Sequence, residues 1–316
     1  MEKIRGSRAC APVLLFVYNR LEHTKKTVEA LQKNYLVELT DLYVFSDAPK
    51  RENVEKDVMA VRDYIKNGMN HGAFKSVKII EQETNKGLAD SIIDGITETI
   101  NIYGKVIVLE DDLISSPYFL TYMNDGLERY QNADNVYSVC GYSYFAEKGY
   151  LIDKLLIPDY YFLQYHNSWG WGTWKEKWKY FDPLATGWEE IKVNSDMQKK
   201  FSLNCLRPDV SLLIQQMEQG IDSWALRWWW SIFKNDGIVL FPNRTLIQNI
   251  GWDGSGVHGA GGDPNKKVVL AKKFTGKMPG KAIEKQWIRR QLINAWKPSI
   301  PRRVVNKLRR ILHGGK

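Results

Sequence analysis

The sequence has no apolar run long enough to cross a bilayer. Its longest, such as residues 12–18, falls far short of the roughly 20 residues a helical span requires. The N-terminus also lacks the apolar segment of a signal peptide, so a cytoplasmic location is the expectation. Cysteine is scarce: Cys10, Cys140 and Cys205 are odd in number, widely spaced and without a CxxC pair, which excludes a disulfide framework and a zinc site of the usual spacing. The Asn243-Arg244-Thr245 sequon then reads as accidental, because glycosylation would need a secretory route. No GxGxxG follows the first strand-like run and there is no Walker lysine loop, so dinucleotide oxidoreductases and P-loop NTPases lose ground. No internal repeat is present.

What the chain does have is the composition of an ordinary globular protein. With 316 residues, 44% hydrophobic and 26% charged, it suffices for one large α/β domain or two modest ones. The formal charge of +9 matters less than where it lies, and much of it is terminal. From Lys297 onward, Val304, Val305, Leu308, Ile311 and Leu312 fall at roughly helical spacing with Arg302, Arg303, Lys307, Arg309 and Arg310 between them. That pattern suits a basic amphipathic helix on an anionic bilayer, or one that packs its apolar side on the body of the protein. Twelve tryptophans suit either a sugar-binding or base-stacking groove or a large aromatic core.

Strand-like and helix-like stretches alternate through the first half. Apolar runs at 11–18, 42–45 and 106–109 read as strands, the last buried on both faces, 77–80 reads as one more strand, and the patterns ending at Leu31, spanning 53–66 and running from 85–89 to about Ile102 read as helices. This alternation predicts a mostly parallel sheet covered on both faces, with right-handed crossovers. In the second half a helix is expected over 117–130, strands over 136–142 and 160–166, and helices over 209–219 and from 221 onward, with Asp222 a candidate N-cap. Residues 238–242 and 245–249 read as a hairpin or two short strands. The alternation of Trp and Gly in 168–174 reads as a tightly packed turn or a pocket floor. The glycine-rich 251–262 reads as a mobile loop of the kind that closes over a ligand.

The run Val106-Ile107-Val108-Leu109 ends abruptly in Glu110-Asp111-Asp112. Three adjacent carboxylates repel one another; they form either a solvated acidic turn or a seat for a cation that also grips an anionic substrate such as a diphosphate. Parallel strands deliver further groups to the same carboxyl edge, where ligands of open α/β sheets bind. These are Arg20 after the first strand, Asp47 after the second and Lys86 near the third. A carboxylate can bond a ribose hydroxyl or a base, an arginine can reach phosphate, and a divalent ion can bridge diphosphate to the acids.

These landmarks resemble a family. Pro12-Val13-Leu14-Leu15-Phe16-Val17-Tyr18-Asn19-Arg20, then Val44-Phe45-Ser46-Asp47, then Val108-Leu109-Glu110-Asp111-Asp112-Leu113 with Pro117 and Phe119 behind it, look like GT-A glycosyltransferases. More narrowly they are similar to the inverting N-acetylglucosaminyltransferase I type and its bacterial relatives. Ile221-Asp222-Ser223-Trp224 resembles the Trp-Asp-Asp-Trp segment of that family, and Arg244-Thr245 with Gly256-Val257-His258-Gly259 resembles its Arg-Thr and Val-Ser-His-Gly loop. The resemblance covers roughly residues 11–262. It implies a GT-A, Rossmann-like α/β fold with an acceptor-side extension: a nucleotide-sugar half over 1–135, an acceptor-binding and catalytic half over 136–265, and a basic C-terminal extension over 266–316.

The resemblance further implies that Asp112 is the direct ligand of Mn²⁺ or Mg²⁺, with Glu110 and Asp111 near metal, ribose and donor sugar. Arg20, Asp47, Lys86 and Arg244 would hold the nucleotide sugar, Asp222 would be the catalytic base, and the loop through His258 would order over the donor. Asn19, Ile221, Ser223 and Val257 depart from the family pattern at positions that touch the sugar, so the donor sugar is not assigned. The expected activity is a metal-dependent inverting transfer from a nucleotide sugar, with UDP the expected nucleotide, to a hydroxyl of a glycan or lipid-linked glycan in surface polysaccharide biosynthesis. The tail would bring the enzyme to an anionic membrane surface, peripheral on its inner face. Two other readings compete: a sugar-phosphate nucleotidyltransferase, which shares sheet and acids, and a basic nucleic-acid-binding protein. The latter leaves acids at a strand end unexplained, so nucleic acid is not an expected partner. His258 reads as a loop contact, because no second His or Cys lies at metal-ligand spacing.

Overall fold

Every residue of the first strand, VLLFV, is buried, as a strand covered on both faces requires. The computed structural model describes residues 9–146, 157–255, 268–275 and 277–297. Its first half runs β1 (Val13–Val17), α1 (Leu21–Gln32), β2 (Asp41–Ser46), α2 (Glu55–Asp63), β3 (Ser76–Glu81), α3 (Leu88–Tyr103), β4 (Lys105–Glu110), β5 (Leu113–Ser115) and α4 (Phe119–Arg129). The second runs β6 (Val136–Cys140), β7 (Tyr160–Leu163), β8 (Trp171–Trp174), α5 (Lys175–Trp178), α6 (Glu190–Val193), α7 (Ser195–Phe201), α8 (Asp209–Gln219), α9 (Trp224–Lys234), β9 (Ile238–Pro242), β10 (Ile247–Asn249) and α10 (Gln286–Trp296).

The described residues form one sheet in the order β3-β2-β1-β4-β8-β6-β9-β7 and a small antiparallel pair, β10-β5. The four strands β3, β2, β1 and β4 are parallel neighbours. β8 runs antiparallel between β4 and β6, β6 and β9 are parallel, and β7 closes the edge antiparallel. This is an α/β fold with a mostly parallel central sheet flanked by helices, consistent with the expected Rossmann-like GT-A core with added elements. Side chains alternate between faces: Leu14, Phe16, Val106 and Val108 join the core under α3 and α9, whereas Val13, Leu15, Ile107 and Leu109 join the core under α1 and α4. The next position in the alternation, Glu110, therefore belongs to the α3 and α9 face.

Two sequence expectations are corrected. The Trp-Gly stretch is neither turn nor pocket floor at 171–174: it is β8, in the middle of the sheet. A Cβ on Gly172 would lie 2.7 Å from the Val106 carbonyl oxygen, and one on Gly170, at φ +61°, would meet Ile247 at 2.6 Å. Glycine is needed there for close strand approach, which period-2 patterning does not report. Of the two readings of 238–242 and 245–249, the two short strands hold and the hairpin does not: β9 lies in the large sheet and β10 pairs with β5. The helix expected from 221 begins at Trp224, and its N-cap is Ser223, whose hydroxyl accepts from the Leu226 amide, so Asp222 is not the cap.

Beyond the second half the chain returns as a strap. Ala271 donates its amide to the Thr245 carbonyl at 2.8 Å and accepts from the Ser116 hydroxyl at 2.6 Å. Tyr130 and Asn135 bond the carbonyls of Pro279 and Ala282. Arg289 of α10 pairs with Glu284 at 3.1 Å and reaches the Lys200 carbonyl, while Trp296 donates to the Tyr144 carbonyl. Ile288 and Leu292 seat α10 in the core. The basic pattern from Lys297 onward lies, past that residue, outside the described residues, as does His258. Among the described residues no helix is long and apolar enough to cross a membrane.

Candidate active site

The parallel register places the ends of β1, β2 and β4 side by side: Phe16 faces Glu110 on one flank and Phe45 on the other, and Val17 faces Ser46. Arg20, at the start of α1, turns its guanidinium onto the acids. It bonds Asp111 through two nitrogens and Asp112 Oδ2 at 3.0 Å. Thr27 of α1 holds the Asp111 carbonyl at 2.8 Å, which fixes the helix against the acidic turn. Asp111 and Asp112 are buried, and Glu110 takes no hydrogen bond among the described residues.

Burial pushes the Glu110 carboxyl up to about 8, with repulsion from Asp112 and Asp111 adding to it and Arg20 opposing. Burial likewise raises Asp111, to about 6, against the pull of Arg20. For Arg20 burial works the other way, but Asp111 and Asp112 outweigh it and hold the guanidinium above its ordinary range. One consequence is measurable without any ligand. Between the ordinary value of 4.5 and the raised value of about 8 the folded protein keeps a proton on Glu110 that the unfolded chain has lost. That contribution to stability is complete below the ordinary value and disappears as pH rises through the raised one. The Glu110→Gln variant, which cannot ionise, is expected to show a shallower fall in melting temperature than wild type from about pH 6 to about pH 9. Parallel curves for the two proteins would contradict this placement of Glu110.

Above the acids sits the segment leaving β10, with Asn249 opposite Leu113 and the Ile250 amide on the Asp112 carbonyl at 2.9 Å. Gly251 presses directly on the site: a Cβ there would lie 2.2 Å from Asp112 Oδ2 and 3.1 Å from an Arg20 nitrogen. Asp253 next pairs with His23 of α1 at 3.3 Å. The Gly251→Ala variant is therefore expected to lose about 1–3 kcal/mol of stability through overpacking, read from its urea midpoint, and to displace the Asp112 carboxylate. An unchanged midpoint would show that the segment is not seated on the acids.

The other expected residues are placed unequally. Asp47 is buried, and its two oxygens accept from the amides of Ala48, Lys86 and Gly87 and from the Asn85 side chain, all at 2.9 Å. It thus organises the turn that opens α3. The Lys86 ammonium reaches Asp94 at 2.8 Å. Arg244 is exposed between β9 and β10.

Asp222 is exposed and ion-paired with Arg227 of α9. Two residues on, the Trp224 ring stacks on Trp171 at 5.2 Å and 18°, and Trp171 faces Val108, two residues before Glu110. Of the two readings of the tryptophans, groove or aromatic core, Trp171 and Trp174 follow the second, since both are buried. Trp169 is only half-buried, edge-on to Tyr142 at 4.6 Å and to Trp252 at 6.4 Å.

Several contributors were invisible to sequence reasoning. Arg62 of α2 reaches the carbonyls of Ser46, Asp47 and Gln82 and ties the β2 and β3 ends together, yet in sequence it is one more charge on a polar helix face. Gly251 reads in sequence as part of a mobile glycine-rich loop, and nothing in its spacing singles out Thr27. Among the described residues no group of three or more His, Cys, Asp or Glu is arranged as a ready metal cage. The guanidinium of Arg20 lies between Asp111 and Asp112.

No known family's sequence profile and no curated protein sequence matches the chain. Among solved structures it is similar to a mannosyltransferase, PcManGT, from Pyrobaculum calidifontis in complex with GDP-Man and Mn²⁺, at 12% identity and a TM-score of 0.37, over 54% of this chain and 46% of that one. It is similar to the galactosyltransferase LgtC, in complex with donor and acceptor sugar analogs, at 14% identity and 0.33, over 58% and 65%. A putative glucose-1-phosphate thymidylyltransferase from Bacillus anthracis follows at 11% identity and 0.31, over 54% and 74%. The chain thus spans about half the length of PcManGT. Likeness of this extent concerns sheet and helices; it assigns no substrate and no residue role.

Proposed function

We propose that this chain is a glycosyltransferase of the inverting, divalent-cation-dependent kind, moving a sugar from a nucleoside diphosphate, UDP first among the candidates, to a hydroxyl of a glycan or lipid-linked glycan. The observation that carries the reading is the meeting of Arg20, Asp111, Asp112 and the Gly251 backbone at the carboxyl edge of the parallel strands. The Trp171–Trp224 stack then ties the segment of Asp222 to the neighbouring strand.

The residues fit a divalent ion. Asp112 engages Arg20 through Oδ2 alone, and Glu110 is a half-buried carboxyl that takes no hydrogen bond among the described residues, one that a bound cation would hold ionised. Both offer hard oxygen donors. A magnesium-like ion is held by one or two carboxylates together with substrate phosphates and water, so three protein ligands are not needed. When bound, such an ion supplies Lewis-acid stabilisation of the departing diphosphate. The chain's own groups do the rest. Arg20 gives a charge-assisted contact to phosphate, the Asp47-ordered turn sets Lys86 at the same edge, and Asp222 takes the proton of the acceptor hydroxyl as that hydroxyl's oxygen attacks the anomeric carbon and the bond to the diphosphate breaks. Glu110 and Asp111 lie beside ribose and sugar, and Arg244 with the loop through His258 borders the donor. The tail beyond Lys297 supports a peripheral place on the inner membrane face, as part of surface polysaccharide synthesis.

A thermal-shift panel of UDP-, GDP- and CMP-sugars with and without Mn²⁺ tests the reading. A shift for one nucleotide class that requires Mn²⁺ is expected, with ligand at a hundred times Kd adding about 2.7 kcal/mol of stability. Stabilisation by a nucleoside triphosphate and pyrophosphate release, with none by any nucleotide sugar, would favour a nucleotidyltransferase.

A further inference from the structure

Charge is divided along this chain more sharply than its net value suggests. Residues 268–316 carry fourteen Lys and Arg against one acid, Glu284, whereas residues 1–267 carry 31 bases against 35 acids. The whole positive excess therefore belongs to the C-terminal end, and more than half of those fourteen bases lie in the described strap, before the tail begins. The one acid is already engaged, by Arg289.

The strap is not a loose appendage. Its bonds to Thr245, Ser116, Tyr130, Asn135 and Lys200 and the buried Ile288 and Leu292 clamp it to the body. What it turns outward is the unusual part. Lys281, Lys285 and Arg290 are exposed, and between them stand Ile283 at 59% and Trp287 at 42% exposure. On α10 Trp287, Arg290, Gln291 and Asn294 follow the i, i+3, i+4, i+7 spacing of one helix face, opposite the buried Ile288 and Leu292. Two exposed apolar side chains, Ile283 and Trp287, alternating along the strap with exposed Lys281, Lys285 and Arg290, match an interface that is charged at the headgroups and apolar just beneath them. A purely phosphate partner such as nucleic acid would use the bases and leave Ile283 and Trp287 in water.

We propose that the face formed by Lys281, Ile283, Lys285, Trp287 and Arg290 is a docking surface for an anionic lipid bilayer, built into the folded strap and separate from the tail. The acidic body, repelled by the same surface, turns away, so the strap orients the enzyme as well as anchoring it. This rests on the peripheral-membrane reading above but not on the identity of the transferred sugar.

The test uses the full chain in co-sedimentation with phosphatidylcholine vesicles, with and without phosphatidylglycerol. Wild type is expected to bind only the anionic vesicles, and less at high salt. The Lys281→Glu, Lys285→Glu, Arg290→Glu combination should weaken that binding at least tenfold, from about 1 kcal/mol per basic residue at such a surface. Trp287→Ser with Ile283→Ser should weaken it with little change in salt dependence, and the melting temperatures of both variants should stay at the wild-type value. A full chain with Arg302, Arg303, Arg309 and Arg310 changed to Glu should retain strap-dependent binding. If that tail variant loses all binding while the strap variants bind like wild type, the tail alone is the anchor and the inference falls, though the peripheral reading stands. If wild type ignores anionic vesicles, both fall.

Discussion

The Asp222→Asn variant is expected to bind nucleotide sugar as tightly as wild type, to keep its melting temperature, and to transfer sugar about 10²–10⁴-fold more slowly. The separation of these effects follows from where the side chain sits. Asp222 is exposed, and its described partner is Arg227, to which an asparagine oxygen can still accept. The cap of α9 comes from Ser223, so no helix end is lost. What asparagine cannot do is take a proton from an attacking hydroxyl. Turnover should therefore fall at saturating donor and acceptor alike, since a base acts in the transition state and not in binding. Single-turnover rates with donor in excess would read the loss directly, and full turnover would remove Asp222 from the chemistry.

Changing Asp112 to alanine should act on the opposite side of the reaction. Its expected signature is loss of the Mn²⁺-dependent thermal shift with nucleotide sugar, and a fall in kcat/KM of roughly a thousandfold, the scale set by removing a group that stabilises transition-state charge. Arg20 would keep Asp111 as a partner, so the edge should not collapse. The two variants differ in kind: one retains donor binding without transfer, the other loses the cation-dependent part of binding itself. Identical defects in both would mean that the two carboxylates do not divide the work as proposed.

How much of this was legible beforehand depended on how local the cause is. The strands β1 to β4 and the helices between them are written largely in apolar runs and in 3.6-residue spacing, and the structure places them within about three residues of those patterns. The acids at the end of β4 were legible for the same reason, because a buried strand that stops in Glu110-Asp111-Asp112 leaves them nowhere but the sheet edge. Contacts set by tertiary approach were not. The segment Trp171-Gly172-Thr173-Trp174 has no apolar alternation to announce a strand, and only the Val106 carbonyl across the pair explains its glycine. Gly251 has meaning only once β10 has paired with β5 and laid the following turn on Asp112. Asp222 looked like a cap because capping rules see residue type and spacing, and Asp222 and Ser223 both satisfy them. The strap, with Arg289 and Glu284 closing on each other inside it, reads in sequence only as a basic extension, since its anchors at Ser116, Tyr130, Asn135 and Tyr144 lie more than a hundred residues away.

A diffraction structure of the chain with Mn²⁺ and an intact or non-hydrolysable nucleotide sugar probes the central claim most directly. The expected result is an ion on the Asp112 carboxylate, with Arg20 turned toward phosphate and the Asp222 carboxylate facing the anomeric carbon across one sugar ring. An ion bound elsewhere, or Asp222 opening onto a surface that the donor does not reach, would contradict it.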